Sequence, residues 1–499
     1  MLKLVDPANG NTPSLARYAD DPRFTALVGE LHSEARQVLP NVRGCVWMIN
    51  STATGGGVAE MLPGLIMLLR ELGLRVNWAV IGSERPEFFA LTKRIHNLLH
   101  GETSAGIALG PDDSRLLENV GQANAEGLLP HLGPDDILVV HDPQPVCLGK
   151  DLARRRGLRA IWRCHVGLDE RNAATQAVWR FLRPHLDGYA AAAFSAPEYI
   201  PSFLAGRASV LHPGIDPLSH KSRDLTVSKM VGILVNAGIQ TAHEPVPTPD
   251  FPVPVRRFVA DGKLVTPGEI GLLFRPIVLQ VSRWDRLKGW RPLLEAFVRL
   301  KARVRAGGAS ALSPRNQRRL ELARLVLAGP DPAGVADDPE GAEVFRELCD
   351  AYQGLSPADR EDVALLLLPM DSRKRNALIV NALQRCATVV VQNSLREGFG
   401  LTVTEAMWKR HAVLGTHAVG IRTQLRDRID GLLTRDANNP EEIAANIEAL
   451  LTAPRARYDM GGHAYRRVHE RFLVFAQLSH YLSLFSRTLG IASGTGLAE

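Results

Sequence analysis

Two cations stand five residues apart in the run Val281-Ser-Arg-Trp-Asp-Arg-Leu-Lys-Gly289, namely Arg283 and Lys288. The run reads as a strand-to-helix connection. Cations at a helix start oppose the helix dipole, so a purely structural role is disfavoured. An anion such as a diphosphate lying between them accounts for the pair. The alternative is two solvated surface charges. A second run, Ser394-Leu-Arg-Glu-Gly-Phe-Gly-Leu-Thr-Val-Thr-Glu405, sets Glu397 and Glu405 eight residues apart around Gly398 and Gly400. Glycines there let backbone N–H groups meet a phosphate. Either carboxylate can accept paired hydrogen bonds from sugar hydroxyls. An acid near a helix start is also favoured by the dipole alone, which is the structural alternative for Glu405.

Two further constellations lie in the first half. Asn50-Ser-Thr-Ala-Thr-Gly-Gly-Gly-Val-Ala-Glu60 is a glycine-rich turn between a strand and a helix. Phosphate or sugar contact is the favoured reading, although the spacing is not GxGxxG and a tight turn also needs glycine. His141, in His-Asp-Pro-Gln-Pro, and His165, in Trp-Arg-Cys-His, each end a strand. A lone histidine is usually structural, but two at the carboxyl ends of successive strands are candidates for a ligand cleft.

The elements that must position these residues repeat. Residues 44–50, 75–81, 136–141, 159–165, 189–195 and 209–212 read as strands with helices between them. A second series follows at 277–282, 325–329, 364–368, 388–392 and 413–416. The fold class is therefore α/β, with two Rossmann-like domains facing a central cleft. The expected boundaries are 1–216 for the first domain, then 217–275 for a linker with a Pro-rich insertion at 244–254. Residues 276–475 form the second domain, and 476–499 a final helix returning to the first domain. Gly307–Gln317 reads as a loop insertion.

Composition bounds the rest. The chain has 499 residues, 45% apolar and 22% charged, which suits a globular protein of two or three domains. Lys plus Arg number 59 against 53 for Asp plus Glu, with no long run of one sign, so nucleic acid is not an expected partner. The start, MLKLVDPANGNTP, lacks the apolar stretch of a signal peptide, and the apolar runs are too short to span a bilayer. Five scattered cysteines without a CxxC pair fit free thiols in a reducing compartment. A cytoplasmic location is expected. No Cys/His cluster has zinc-ligand spacing and no acidic pair stands at a metal position, so no metal is expected.

The motifs of the second half resemble the E-x7-E element and the Arg/Lys pair of glycosyltransferase family 4, whose members are retaining. Within it, INSTATGGGVAEML, FFALTKRIHNLLHG, HDPQP, WRCH, IDPLS, VSRWD and SLREGFGLTVTEAMWK are similar to the group of trehalose glycosyltransferring synthases and trehalose phosphorylases. The resemblance spans about residues 44–225 and 277–475 and implies a GT-B fold. It implies that Arg283 and Lys288 hold the leaving diphosphate and that Glu405 binds the nucleotide ribose. Glu397, with N–H groups at Gly398, Phe399, Gly400 and Leu401, would position the donor sugar. His165 would lie near that sugar's 6-hydroxyl, and Gly56 and Gly57 would face phosphate or acceptor. Asn50, Asp142 and Gln144 would line the acceptor pocket. The implied reaction moves glucose from a nucleoside diphosphate glucose to glucose, forming trehalose, with no added cofactor. A homodimer is one assembly open to it. A phosphorylase is the nearest alternative. An oxidoreductase is disfavoured, because no GxGxxG with a downstream acid is present. A non-catalytic sugar-nucleotide binder is the most distant reading.

Overall fold

The computed structural model describes residues 2–7, 13–53, 57–103, 106, 108–241, 251–308, 312–334 and 339–490. The chain divides into two compact units. The first comprises 1–214 together with 472–499, and the second Ile215–Arg471.

The first unit is built on a seven-stranded sheet: β1 (Lys3–Val5), β2 (Val46–Asn50), β3 (Val76–Val80), β4 (Ile137–His141), β5 (Arg159–Cys164), β6 (Ala191–Phe194) and β7 (Ala208–Val210). The strand order is β1-β3-β2-β4-β5-β6-β7, parallel except for β1. Every residue of β2 and β4 is buried, the pattern of strands covered on both faces by helices. The chain runs from β2 out to β3, then returns to lay β4 on the other side of β2. That reversal is the topological switch point, where a crevice opens beyond the carboxyl ends of the strands. Beyond β2 lies the glycine-rich turn, and beyond β4 lies Asp142-Pro-Gln144.

The final helix, Val474–Leu489, packs against helices Thr25–Val38 and Gly57–Glu71 of the same unit. Phe475 seals it by meeting the rings of Tyr18 and Phe24 at 5.0 and 5.4 Å between centroids.

The second unit has an eight-stranded sheet: β8 (Arg256–Phe258), β9 (Leu264–Val265), β10 (Ile277–Val281), β11 (Arg324–Pro330), β12 (Val363–Leu368), β13 (Val389–Val391), β14 (Val413–Thr416) and β15 (Gly431–Thr434). Its order is β15-β14-β13-β10-β11-β12-β8-β9. The same reversal recurs: β11 and β12 extend to one side of β10, and β13 returns to the other. The Arg283/Lys288 run follows β10, and the Glu397 run follows β13.

Residues 217–275 are more than a connector. Helix Val227–Asn236 packs on helix Arg373–Cys386, β8 extends the sheet antiparallel to β12, and β9 pairs antiparallel with β8. These strands have three and two residues, too short to show a period. Of the Pro-rich stretch, 244–250 lies outside the described residues. The 307–317 segment is not all loop, since Ser313 accepts the N–H of Asn316 and caps a helix from Pro314 to Leu322.

Truncating Phe475, which is 3% exposed, leaves a cavity against two other rings. Phe475→Ala should destabilise the first unit by about 3–5 kcal/mol, and Phe274→Ala, at a 75% exposed position, by under about 0.5 kcal/mol. Urea unfolding should separate the two variants; equal midpoints would refute the sealing role.

Candidate functional site

In the second unit the two loops beyond β10 and β13 are tied by a chain of polar groups. Gln280 interrupts an otherwise apolar strand and is fully buried. Its side-chain N–H donates to the Lys288 carbonyl at 2.8 Å, and its oxygen accepts the Asn393 N–H at 2.8 Å. Asn393 in turn donates to the carbonyls of Gly289 and Ala437, at 3.0 Å each. Gly289 sits at φ 57°, and a Cβ there would come within 2.2 Å of the Asn393 carbonyl oxygen. Glycine is therefore required by both backbone angle and space.

These ties deliver Lys288 to Glu397. Its Nζ donates to Glu397 Oε2 at 2.7 Å, with both side chains largely buried. The same oxygen accepts from Ser394 Oγ at 3.0 Å. Ser394 Oγ accepts from Gln392 Nε2 at 2.9 Å, and Gln392 Oε1 accepts from Ser282 and Thr402. Every member thus has its donor or acceptor role fixed by the next. Beyond Glu397, Gly400 at φ 85° turns the chain into helix Leu401–Trp408. The loop of Gly398 and Phe399 is pressed against Gly420, where a Cβ would come within 2.5 Å of the Phe399 Cα and 2.6 Å of the Glu397 carbonyl oxygen.

Arg283 is placed differently. Its side chain is largely exposed and lies 3.4 Å from Asp285 within its own loop. Its neighbour Trp284 is buried, donates to the Pro330 carbonyl at 2.7 Å and packs its ring at a tilt against Trp290. The loop is anchored while the guanidinium stays in solvent. Glu405 is buried on the helix. Lys221 Nζ is 3.6 Å from its Oε1, whereas its Oε2 has no hydrogen-bond partner among the described residues. Lys409 donates to the Glu405 carbonyl at 3.2 Å and to Gln384 at 2.7 Å, and burial pushes its ammonium down to about 7. The structure therefore joins Lys288 to Glu397, and leaves Arg283 and Glu405 with separate neighbours.

In the first unit, Asp142 has φ 65°, the left-handed region that Asp tolerates better than most side chains. The conformation is held three ways. Its N–H donates to the Arg163 carbonyl at 2.8 Å, its carbonyl accepts from Trp162 Nε1 at 3.0 Å, and its Oδ1 accepts the His165 N–H at 2.8 Å. Burial raises the carboxyl to about 6, although the His165 N–H and then Arg163 pull the other way. His141 Nδ1 and His165 Nε2 are 3.0 Å apart, and the two ring planes lie within 12° of parallel. Gln144 is half-buried, with Oε1 lacking a partner among the described residues.

Asn50 is committed: it accepts from Trp78 Nε1 at 2.8 Å and donates to the Thr52 carbonyl at 2.6 Å. Its amide shapes the entry to the glycine-rich turn. Gly57 opens helix Gly57–Glu71, and an added Cβ there would meet nothing within 4 Å. Gly56 lies outside the described residues. Arg163 is fully buried and spends its guanidinium on the Cys164, Ala193 and Leu211 carbonyls and on Ser195. Sequence reasoning overlooked Gln280, Gln392, Lys221 and Lys409. For Gln280 a signal existed, an amide in the middle of Ile-Val-Leu-Gln-Val.

Two Rossmann-like units, each with a switch point in its sheet, are the frame of the GT-B transferases, and the protein is a glycosyltransferase. Residues 48–201 match the family described as "Trehalose synthase, N-terminal domain", and 370–467 match "Glycosyl transferases group 1". The chain is 32% identical to a trehalose synthase of Pyrococcus horikoshii over 473 residues, covering 93% of this chain and 95% of that one. It thus belongs to the trehalose synthase family. A trehalose phosphorylase of Pleurotus pulmonarius is 24% identical over 82% of this chain and 52% of that protein. The solved α,α-trehalose-phosphate synthase (UDP-forming) of Burkholderia xenovorans, in complex with glucose-6-phosphate, aligns with a TM-score of 0.62. It covers 90% of this chain and 100% of that one at 16% identity, a likeness of fold. No helix among the described residues is long and apolar enough to cross a membrane.

Two outcomes follow from this geometry. Ser394→Ala removes a donor to Glu397 and should lower kcat/KM about tenfold while leaving the circular dichroism spectrum unchanged; unaltered kinetics would refute the orienting role. For Asp142, the unfolded carboxyl titrates near 3.8 and the folded one near 6. The folded state holds the proton more tightly, so this group's contribution is greatest below about pH 4 and is lost as the pH rises through about 6. The loss is at most about 3 kcal/mol. Asp142→Asn should therefore gain on the wild type in urea unfolding at pH 8 relative to pH 4. Parallel stabilities at both pH values would contradict the burial account.

Proposed function

We propose that the protein is a retaining trehalose synthase that transfers glucose from a nucleoside diphosphate glucose to the anomeric hydroxyl of free glucose. The observation that carries this reading is the Lys288–Glu397–Ser394 chain at the second unit's switch point. It is a preorganised set of donors and acceptors with no slack, suited to gripping a sugar diphosphate. Because Lys288 is already neutralised by Glu397, the leaving diphosphate draws its net positive charge from Arg283. The N-terminus of helix Leu401–Trp408 adds oriented N–H groups. Glu397 then orients donor-sugar hydroxyls, and Glu405 Oε2, which has no partner among the described residues, accepts a ribose hydroxyl. His165 meets the donor sugar, and Asp142 and Gln144 meet the acceptor.

Negative charge grows on the diphosphate as the glycosidic bond breaks, so fixed positive charge there lowers the barrier most. The acceptor hydroxyl attacks on the face from which the diphosphate departs, and a phosphate oxygen takes its proton. A neutral acceptor is favoured because Arg163 is engaged with main-chain carbonyls and is not available to a phosphosugar. The reading needs no cofactor beyond the donor itself. Cytoplasmic work fits five cysteines that form no disulfide.

Arg283→Ala should reduce kcat/KM by about 10²–10³-fold, and a loss under about threefold would overturn its role. The reaction is tested by supplying nucleoside diphosphate glucoses with glucose, with glucose 6-phosphate, or with trehalose and inorganic phosphate. Proton NMR should identify α,α-trehalose from the first pairing. A β linkage would refute retention, preference for the phosphosugar would refute the acceptor, and phosphate-dependent cleavage alone would indicate a phosphorylase.

A further inference from the structure

His141 closes β4 and is 1% exposed, yet no step of the reaction uses it. Its ring lies nearly parallel to that of His165, with centroids 5.3 Å apart and a 12° angle between planes. Its Nδ1 is 3.0 Å from His165 Nε2. Burial holds both imidazoles neutral, His141 at about 3 and His165 well below its ordinary value, and the nearby Arg163 charge works in the same direction. Each ring therefore carries one proton, and the short contact needs one N–H pointing along it.

There are two ways to arrange these protons. Were His165 the donor, the proton of His141 would sit on its Nε2. That atom is buried and has no partner among the described residues, so an N–H would be stranded there. Were His141 the donor, Nε2 would carry only a lone pair. A buried orphan N–H is the rarer and costlier of the two, so the second arrangement wins. His165 then keeps its proton on Nδ1, the nitrogen not spent on His141. The main chain of His165 is fixed from the same segment, since Asp142 accepts its N–H.

We infer that His141 is a positioning residue that locks His165 in the Nδ1–H tautomer, so that His165 meets its ligand as a hydrogen-bond donor and never as a base. The ligand atom is then an electron-rich oxygen, such as a sugar hydroxyl accepting from Nδ1. This rests on the placing of His165 at the donor sugar.

The test uses the full-length protein labelled with ¹⁵N-histidine. Long-range ¹H–¹⁵N spectra report each tautomer, and the His165 signals are assigned by their loss in His165→Asn. A protonated Nδ1 and a bare Nε2, unchanged between pH 6 and 8, are expected. The opposite pattern would overturn the inference. In kinetics, His141→Asn keeps an N–H near the position of Nδ1, whereas His141→Leu does not. The kcat of His141→Asn should exceed that of His141→Leu about fivefold or more. Equal kcat values for the two would also overturn the inference. If the leucine variant does not fold, the wild-type spectrum decides alone. Unimpaired turnover by His165→Asn would instead remove His165 from the sugar site, while the tautomer stands or falls on the spectrum.

Discussion

Lys288 and Glu397 meet at 2.7 Å with only about an eighth of each side chain in solvent. Neither charge could be held there alone without a large desolvation cost. Such a pair adds little net stability compared with apolar residues, so its worth lies in position. It fixes the distance between the loop after β10 and the loop after β13. Much of the second unit's interior serves that distance. Gln280 and Asn393 stitch the loop bases, Gly289 and Gly420 allow the backbones to close in, and Gln392 sets the direction of the Ser394 hydroxyl.

Among the described residues, the first unit is built without a buried ion pair at its strand ends, around two imidazoles and a buried acid. Its buried cation, Arg163, is turned inward and binds carbonyls at the β5–β7 side of the sheet. What remains beyond β4 and β5 is an imidazole pair, an acid with a raised pKa and an amide. One unit thus sets an ion pair beyond its strands, and the other an imidazole pair beside a buried acid.

Much of this could be read from the sequence. Strands such as Ile137–His141 and Val363–Leu368 are continuous apolar runs, and buried parallel strands leave that signature. The functional motifs follow strands, so alternation alone put them at carboxyl ends. What could not be read was pairing at a distance. That Lys288 would grip Glu397 depends on β13 lying beside β10, which no local pattern encodes. Nor could the local run show that Trp78 donates to the Asn50 side-chain oxygen. Strands β1, β8 and β9 escaped notice because they have only two or three residues and are mostly not buried, so no apolar run marks them, and β15 was missed as well. Lys409 reads as a surface lysine until helix packing removes its water.

The first unit is interrupted in sequence by the second, and its last helix is the last described element of the chain. During synthesis, the apolar faces of helices Thr25–Val38 and Gly57–Glu71 must therefore wait while the whole of Ile215–Arg471 is made. At about 5–20 residues per second, that wait is on the order of ten to fifty seconds, far longer than hydrophobic collapse takes. The second unit, continuous in sequence, can close as it emerges. The half that leaves the ribosome first is thus the half that finishes folding last, and a nascent chain leaves the Tyr18 and Phe24 rings open to chaperones until Phe475 arrives.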